Sequence, residues 1–185
     1  ISSPRAAFEL GIGMIHQHFK LIDVLTAAQN IVLGIKDKRR YNMKAAEAKI
    51  SEICEKYGFD IDPHQKIYTM SVSQKQTVEI VKVLFRGADI LILDEPTAVL
   101  TPQETDRLFD VLRNMKADGK SIIIITHKLN EVLEISDRVA ILRKGTYICD
   151  VVTKDADAQI LTDAMVGRSV TLNIDRPAPV NPRDR

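Results

Sequence analysis

Two adjacent carboxylates, Asp94 and Glu95, follow an uninterrupted apolar run at residues 90–93. Such a run is typical of a strand that is buried on both faces of a parallel sheet. Pro96 cannot donate a ladder hydrogen bond, so we expect the strand to end here with both carboxylates at its carboxyl end. Open α/β sheets bind ligands at that end, where one carboxylate can hold Mg²⁺ and its neighbour can deprotonate a water that attacks a phosphate. Taken alone, the dipeptide is also typical of a solvated turn.

A second fully buried strand is predicted at residues 121–126, and His127 follows its carboxyl end as Glu95 follows the first strand. Neighbouring strand ends would bring the imidazole and the carboxylate to the same phosphate. A single histidine in a loop is more often structural. That interpretation is kept for His16, His18 and His64, which show neither a comparable placement nor the spacing of metal ligands.

A helix is predicted to begin near Ser73, because Ser73 and Gln76 fit the S-x-x-Q capping box and apolar residues such as Val78 and Phe85 follow. The free N–H groups at the start of a helix, together with a serine hydroxyl, form a reasonable phosphate site. An ordinary helix cap explains the same residues, and the sequence leaves both interpretations open.

The remaining elements must hold these segments in place. Residues 43–57 have helical spacing and end at Gly58, which suits the C′ position of a helix. Thr101 precedes a proline and, three residues on, a glutamate, a combination that predicts a helix start. A hairpin over residues 137–151 and a last helix over about 155–165 complete the predicted elements.

Composition limits the class of protein. The 185 residues are 45% hydrophobic and 28% charged, which is ordinary for one soluble α/β domain. A net charge of +1 offers no electrostatic basis for binding nucleic acid. No apolar run approaches the roughly 20 residues of a membrane-spanning helix. Cys54 and Cys149 fit neither a disulfide framework nor a metal site, so we interpret them as free thiols in a reducing compartment.

No stretch of this sequence fits the P-loop pattern GxxxxGK[ST]. The tripeptide at residues 119–121 resembles the end of that pattern, but Asn114 stands where a glycine is needed. The predicted order is also helix, loop, strand, whereas a P-loop lies between a strand and a helix. We interpret the tripeptide as a turn. Because the chain also begins in mid-pattern without a methionine, we expect a fragment that lacks its opening strands and P-loop.

Several separated segments together resemble the ABC-type ATPases. Residues 86–104 resemble that family's Walker B motif and D-loop, and residues 11–19 resemble its Q-loop region. Residues 122–127 resemble its switch-histidine strand, and residues 70–74 occupy the place of its signature, usually written Leu-Ser-Gly-Gly-Gln. In the amino-acid sequence of these motifs, the chain is most similar to the ATP-binding subunits of bacterial importers for simple sugars and nucleosides.

This resemblance implies an α/β fold, an ABC-type (RecA-like) P-loop NTPase core with a mainly parallel sheet and an inserted helical subdomain. Residues 1–19 would be part of the core with the Q-loop, residues 20–71 the helical subdomain, and residues 72–167 the rest of the core. Residues 168–185 would be a linker, since such importers commonly fuse two ATPase halves through a segment of this kind. The chain would then represent most of a first half.

ATP and Mg²⁺ are the ligands that the resemblance implies. Asp94 and Gln17 would contact the metal ion, although a glutamine after a strand is otherwise most often a solvated loop residue. Glu95 would act on the attacking water, and His127 would contact the γ-phosphate.

The signature residues Ser71, Ser73 and Gln74 would also bind nucleotide by this resemblance. Val72 and Ser73 stand in place of the two glycines of the signature. A side chain at position 73 would hinder the close approach of the backbone to a phosphate that glycine allows. We therefore expect Ser71 to matter more than Ser73.

The implied partners are a second ABC ATPase domain, paired head to tail or as a fused half, and a transmembrane permease. An extracytoplasmic solute-binding protein would take part indirectly, and nucleic acid would not. The chain would lie at the cytoplasmic face of the plasma membrane and serve the import of sugars or nucleosides, with little ATPase activity on its own. Two alternatives stay open: a soluble ABC-type ATPase not tied to a permease, and a non-catalytic interaction module, which Ser73 and the missing P-loop pattern favour.

Overall fold

The computed structural model describes residues 1–35 and 42–167, and the chain divides into two compact units, Ile1–His127 and Lys128–Arg185. The linker predicted at residues 168–185 lies outside the described residues. The expected boundaries of a helical subdomain at residues 20–71 stay a prediction.

The first unit is built on a parallel sheet with helices before and between its strands. Its elements are α1 (Pro4–Glu9), β1 (Ile12–Ile15), α2 (Ala27–Val32), α3 (Met43–Tyr57), a 3₁₀ turn (Ile67–Thr69), α4 (Val72–Phe85), β2 (Ile90–Asp94), α5 (Pro102–Ala117) and β3 (Ser121–Ile125). The three strands are ordered β1-β2-β3, and both neighbouring pairs are parallel. Helical crossovers join the strands, as parallel pairing requires. The predicted α/β fold with a mainly parallel sheet is confirmed.

One face of this sheet is more deeply buried than the other. Leu91 and Leu93 are fully buried, and Ile15, which pairs with Leu93, is nearly so. On the opposite face Ile123 and Ile125 of β3 are about half exposed. The prediction that residues 121–126 are buried on both faces is therefore wrong, and for residues 90–93 it holds only in part, because Ile90 and Ile92 are half-buried. An unbroken apolar run shows that both faces of a strand are hydrophobic, but it does not show how many of them are covered.

Helix α4 lies on the buried face. Gly13 of β1 shares that face with its partner Leu91, and a Cβ at Gly13 would lie 1.9 Å from Cγ1 of Val83 in α4. Only a glycine permits this close approach between the helix and the strand.

The helices α2, α3 and α4 enclose an apolar cluster. Its fully buried side chains come from all three helices and from the 3₁₀ turn: Ala27, Ile31, Ile50, Ile67, Val78 and Val81. Cys54 belongs to the same cluster, and burial raises the pKa of its thiol to about 11. The thiol therefore stays protonated and unreactive at neutral pH. The apolar residues Ala46, Ile50 and Cys54 of α3 thus belong to the core.

Two predicted helix ends are confirmed. Helix α3 ends at Gly58, whose φ of 82° is left-handed. Helix α5 begins with a capping box between Thr101 and Glu104 and has Pro102 in its first turn.

The predicted start of α4 is wrong by two residues. The capping box joins Ser71 to Gln74, not Ser73 to Gln76, and Ser73 already lies inside the helix. The sequence contains the S-x-x-Q pattern twice, two residues apart. The extended backbone of Ser71, with ψ at 166°, decides between them, because it leaves the Ser71 hydroxyl free to accept from the N–H of Gln74.

A polar contact ties the end of α3 to the end of α5. The Tyr57 hydroxyl donates to Oδ2 of Asp118 at 2.6 Å, and the Lys56 ammonium lies 2.8 Å from the same oxygen. The side-chain amide of Asn114 donates to the Tyr57 carbonyl at 3.3 Å. The hydrogen bond from Lys56, and then that from Tyr57, holds the pKa of Asp118 below its ordinary value.

The second unit, over its described residues, contains α6 (Leu129–Ile135), β4 (Arg138–Arg143), β5 (Thr146–Val152), a 3₁₀ turn (Thr153–Asp155) and α7 (Ala158–Val166). The strands pair antiparallel, so the predicted hairpin is confirmed. Helix α7 begins three residues later than predicted, because Asp157 caps it by accepting from the N–H of Ile160 at 2.7 Å. No described helix of the chain has the length and apolar character needed to cross a bilayer.

The two serines at the start of α4 should differ in their effect on stability. Ser71→Ala removes the cap and is expected to lower the free energy of unfolding by about 1 kcal/mol. Ser73→Ala should cost less, because the Ser73 hydroxyl has no hydrogen-bond partner in the described part of the chain. Urea denaturation of both variants measures the difference. An equal loss in both would contradict the assignment of the cap to Ser71.

Asp118 should stabilise the fold in a pH-dependent way. A carboxyl group whose pKa is lowered by folding contributes stability above its ordinary value, 3.8, and loses that contribution as the pH falls through the lower folded value. We expect the wild type to unfold at a higher urea concentration than Asp118→Asn at pH 7. The gap should begin to narrow below about pH 4 and close further as the pH falls through the lowered pKa of the folded carboxyl group. A gap of equal size at pH 7 and pH 3 would show that this ionisation does not contribute.

Candidate active site

The candidate site lies at the carboxyl end of β2. The strand ends at Asp94, and the next residue, Glu95, has a φ of 47°. A positive φ is uncommon and costly for a residue with a side chain. The N–H of Glu95 donates to the carbonyl of Ile125 at 2.9 Å, so the neighbouring strand β3 holds this turn in place. Strain that the surrounding fold maintains is typical of functional sites.

The side chain of Glu95 meets His127. Oε1 of Glu95 lies 2.8 Å from Nδ1 of His127, and the tautomer of the ring decides which atom donates. The carboxylate is 20% exposed and the imidazole 74% exposed. One edge of the His127 ring therefore contacts the partly buried carboxylate while the rest of the ring faces solvent. The structure brings together the two groups that follow β2 and β3, as their positions in the sequence suggested.

The second oxygen of Glu95 lacks a partner. Oε2 is buried and has no hydrogen bond to any of the described residues. Buried polar atoms are nearly always paired, and an unpaired carboxylate oxygen is costly. Together with the strained backbone, this atom marks a position where a water molecule or another donor is expected to bind.

Gln17, Asp94 and Glu95 line one cavity of about 110 Å³. The side chains of Asp94 and Gln17 offer a carboxylate oxygen and an amide oxygen. Mg²⁺ is typically bound by one or two protein carboxylates, with waters and substrate phosphates completing its shell. The donors present here therefore fit Mg²⁺ that arrives with a phosphate ligand.

Ser71, Ser73 and Gln74 line a different cavity, of about 460 Å³, beside α3 and α5. The Ser71 hydroxyl accepts from the N–H of Gln74 at 3.2 Å, and Oε1 of Gln74 accepts from the N–H of Ser71 at 3.0 Å. The structure therefore does not bring the signature residues into the cavity that contains Asp94 and Glu95. Within this one chain, the two sets of predicted site residues line two separate cavities.

Two buried polar residues of α4 were not identified as site residues from the sequence. Gln76 is 4% exposed, lines both cavities, and makes no side-chain hydrogen bond within the described part of the chain. Glu79 is 7% exposed. The available signal was the spacing of three residues, which places both on one side of α4, where the other buried residues of the helix are apolar. Gln76 was instead assigned to the incorrect capping box.

Comparisons with known proteins indicate the family of this chain. The model of the family described as "ABC transporter" matches residues 2–98. The nucleoside import ATP-binding protein NupA of Lactococcus lactis is 48% identical over 186 residues, which cover 100% of this chain and 37% of that protein. The guanosine import ATP-binding protein NupO of Bacillus subtilis is 47% identical over 96% of this chain and 35% of its own length. The chain thus spans about a third of the length of these relatives.

Solved structures show the same fold. An ATP-binding cassette of an ABC transporter in its ADP conformation matches with a TM-score of 0.74 and 22% sequence identity, over 88% of this chain and 68% of that one. This likeness confirms the predicted ABC-type fold. With the family match over half of the sequence, it leads to a plain conclusion: the chain belongs to the ABC transporter family of ATP-binding proteins.

Proposed function

We propose that this chain belongs to the ATP-binding and ATP-hydrolysing component of an ABC importer for nucleosides or sugars. The observation that carries the proposal is the carboxylate of Glu95, one oxygen of which contacts His127 while the other is unpaired, in a residue that lines the same cavity as Asp94. The names of similar proteins, which include nucleoside and guanosine import ATP-binding proteins, support the class of solute.

The substrate would be ATP with Mg²⁺. Asp94 and Gln17 would hold the metal ion, which when bound neutralises negative charge on the phosphate oxygens. Because both side chains line the same small cavity as Glu95, they would also fix the position of the reacting phosphate relative to that carboxylate.

Glu95 would serve as the general base. Its free Oε2 would accept the proton of a water whose oxygen attacks the γ-phosphorus, while the bond from that phosphorus to the leaving ADP oxygen breaks. The contact of Oε1 with His127 and the main-chain bond to Ile125 would keep the carboxylate in one orientation during this step. The exposed part of the His127 ring would then be available to the γ-phosphate.

The signature residues would act on a second nucleotide. The cavity beside the signature is lined by Ser71, Ser73 and Gln74, whereas Asp94 and Glu95 do not contribute to it. The signature residues would therefore complete the nucleotide site of a second ABC ATPase domain paired head to tail. The start of α4 offers N–H groups and a positive dipole end to that nucleotide's phosphates. Ser73 leaves less room there than the glycine of the usual signature.

The same function implies the further partners. A transmembrane permease, with an extracytoplasmic solute-binding protein acting through it, would place the chain at the cytoplasmic face of the plasma membrane. The near-neutral charge of +1 supports a role without nucleic acid. Since no stretch of the 185 residues fits the P-loop pattern, this chain alone is expected to bind and hydrolyse ATP weakly.

Glu95→Gln tests the assignment of the base. In a full-length protein that contains this sequence, we expect the change to lower kcat for ATP hydrolysis by at least about 100-fold, because general-base catalysis typically contributes that much or more. Binding of MgATP should remain, since the substituted glutamine keeps the size of the side chain. A phosphate-release assay and equilibrium binding of a fluorescent ATP analogue measure the two effects.

Glu52→Gln is the matched control, because Glu52 is an exposed glutamate of α3 away from both cavities. It should hydrolyse ATP like the wild type. Normal hydrolysis by the Glu95 variant would refute the role of Glu95. Failure of the wild type to bind MgATP would favour a non-catalytic interaction module.

A further inference from the structure

Helix α4 carries a largely buried ion pair, Glu79 with Lys82. The ammonium of Lys82 lies 3.5 Å from Oε2 of Glu79, and the side chains of Lys82 and Glu79 are only 15% and 10% exposed, respectively. Removing two charges from water is costly unless each finds good partners. The partners that these side chains find therefore indicate what the pair holds in place.

Both charged groups hold the main chain of one residue, Lys20. The N–H of Lys20 donates to Oε1 of Glu79 at 2.8 Å, and the Lys82 ammonium donates to the carbonyl of Lys20 at 3.3 Å. The donor and the acceptor of a single peptide position in a loop are thus both bound by α4. Hydrogen bonds to charged groups are stronger than neutral ones, so this contact, and above all the shorter bond to Glu79, attaches the loop to the helix.

Lys20 lies three residues after Gln17, the residue proposed to contact Mg²⁺. The same helix begins at the cap formed by Ser71 in the second cavity. From Ser71 to Lys82 the helix is roughly 16 Å long at 1.5 Å per residue. Between its two ends the buried amide of Gln76 lines both cavities. A rigid element therefore joins the loop of one cavity to the signature end in the other.

We propose that Glu79 and Lys82 are positioning residues that couple the Gln17 loop to the signature end of α4, so that the metal-contacting loop and the phosphate-contacting helix start move together. This role rests on the proposed ATPase function and goes beyond it, because neither residue lines either cavity. A purely structural ion pair would stabilise the fold without linking the effects of changes at Gln17 and Ser71.

A double-mutant cycle tests this link in the full-length protein. Gln17→Ala and Ser71→Ala, alone and together, are measured for kcat and for KM of MgATP. We expect their effects on kcat/KM to deviate from additivity by at least about fivefold, as coupled sites do. When Glu79→Ala is introduced into all members of the cycle, the deviation should fall to within about twofold, the range of independent sites.

Three further backgrounds complete the test. Glu79→Gln keeps an acceptor for the N–H of Lys20 and should retain most of the coupling. Lys82→Met keeps the aliphatic stem and removes the ammonium, so it should weaken the coupling even if Glu79→Ala does not fold. Val78→Ala is the control for destabilisation, since Val78 is a fully buried residue of the same helix and should leave the coupling unchanged.

The deviation from additivity in kcat/KM decides the outcome, whereas a change in thermal stability alone does not. Melting temperatures that fall in the Glu79 and Lys82 variants, with the coupling intact, would overturn the proposal. An additive cycle in the wild-type background would also overturn it, while hydrolysis that depends on Glu95 would leave the proposed function standing. If hydrolysis does not depend on Glu95, the proposed function and this inference fail together.

Discussion

The parallel pairing of β1, β2 and β3 is the constraint on which the candidate site depends. Because parallel strands end at one edge of the sheet, the residues that follow them, Gln17, Glu95 and His127, are placed along that edge. The bond from the Glu95 N–H to the Ile125 carbonyl extends the pairing past β2 and maintains the positive φ of Glu95. The same register places the side chains of Leu91 and Leu93 in the core. The hydrophobic burial that stabilises β2 therefore also fixes the position of the Glu95 carboxylate at the end of the strand.

Helix α4 is the second element that relates structure to the proposed chemistry. Its apolar residues pack on β1 and in the cluster of α2 and α3, which fixes its position by burial. Ser71 and Gln76 line the cavities, whereas the Glu79–Lys82 pair contacts the main chain of Lys20. A single helix thus contributes to the hydrophobic core, to the signature segment and to the attachment of the Gln17 loop.

Local patterns predicted a good part of this arrangement. The strand that ends at Asp94, the helix that begins after Thr101 and the helix that ends at Gly58 were all identified correctly, because each is controlled by residues within one turn of the chain. The start of α4 was not, since two S-x-x-Q patterns overlap and only the backbone at Ser71 selects one. The prediction that β3 is fully buried was also wrong, because the exposure of a strand depends on what packs against it and not on its own apolar residues.

The sequence by itself determined the class of fold, the family and the residue types at the candidate site, since strand runs, caps and the Asp94–Glu95 pair are local features of the chain. Only the tertiary structure decided that Glu95 is held by His127 with one oxygen left unpaired, and that Glu79 and Lys82 bind the backbone of Lys20. These contacts join residues 32, 59 and 62 positions apart. Contacts at such separations arise from packing of the whole unit, which no local pattern reports.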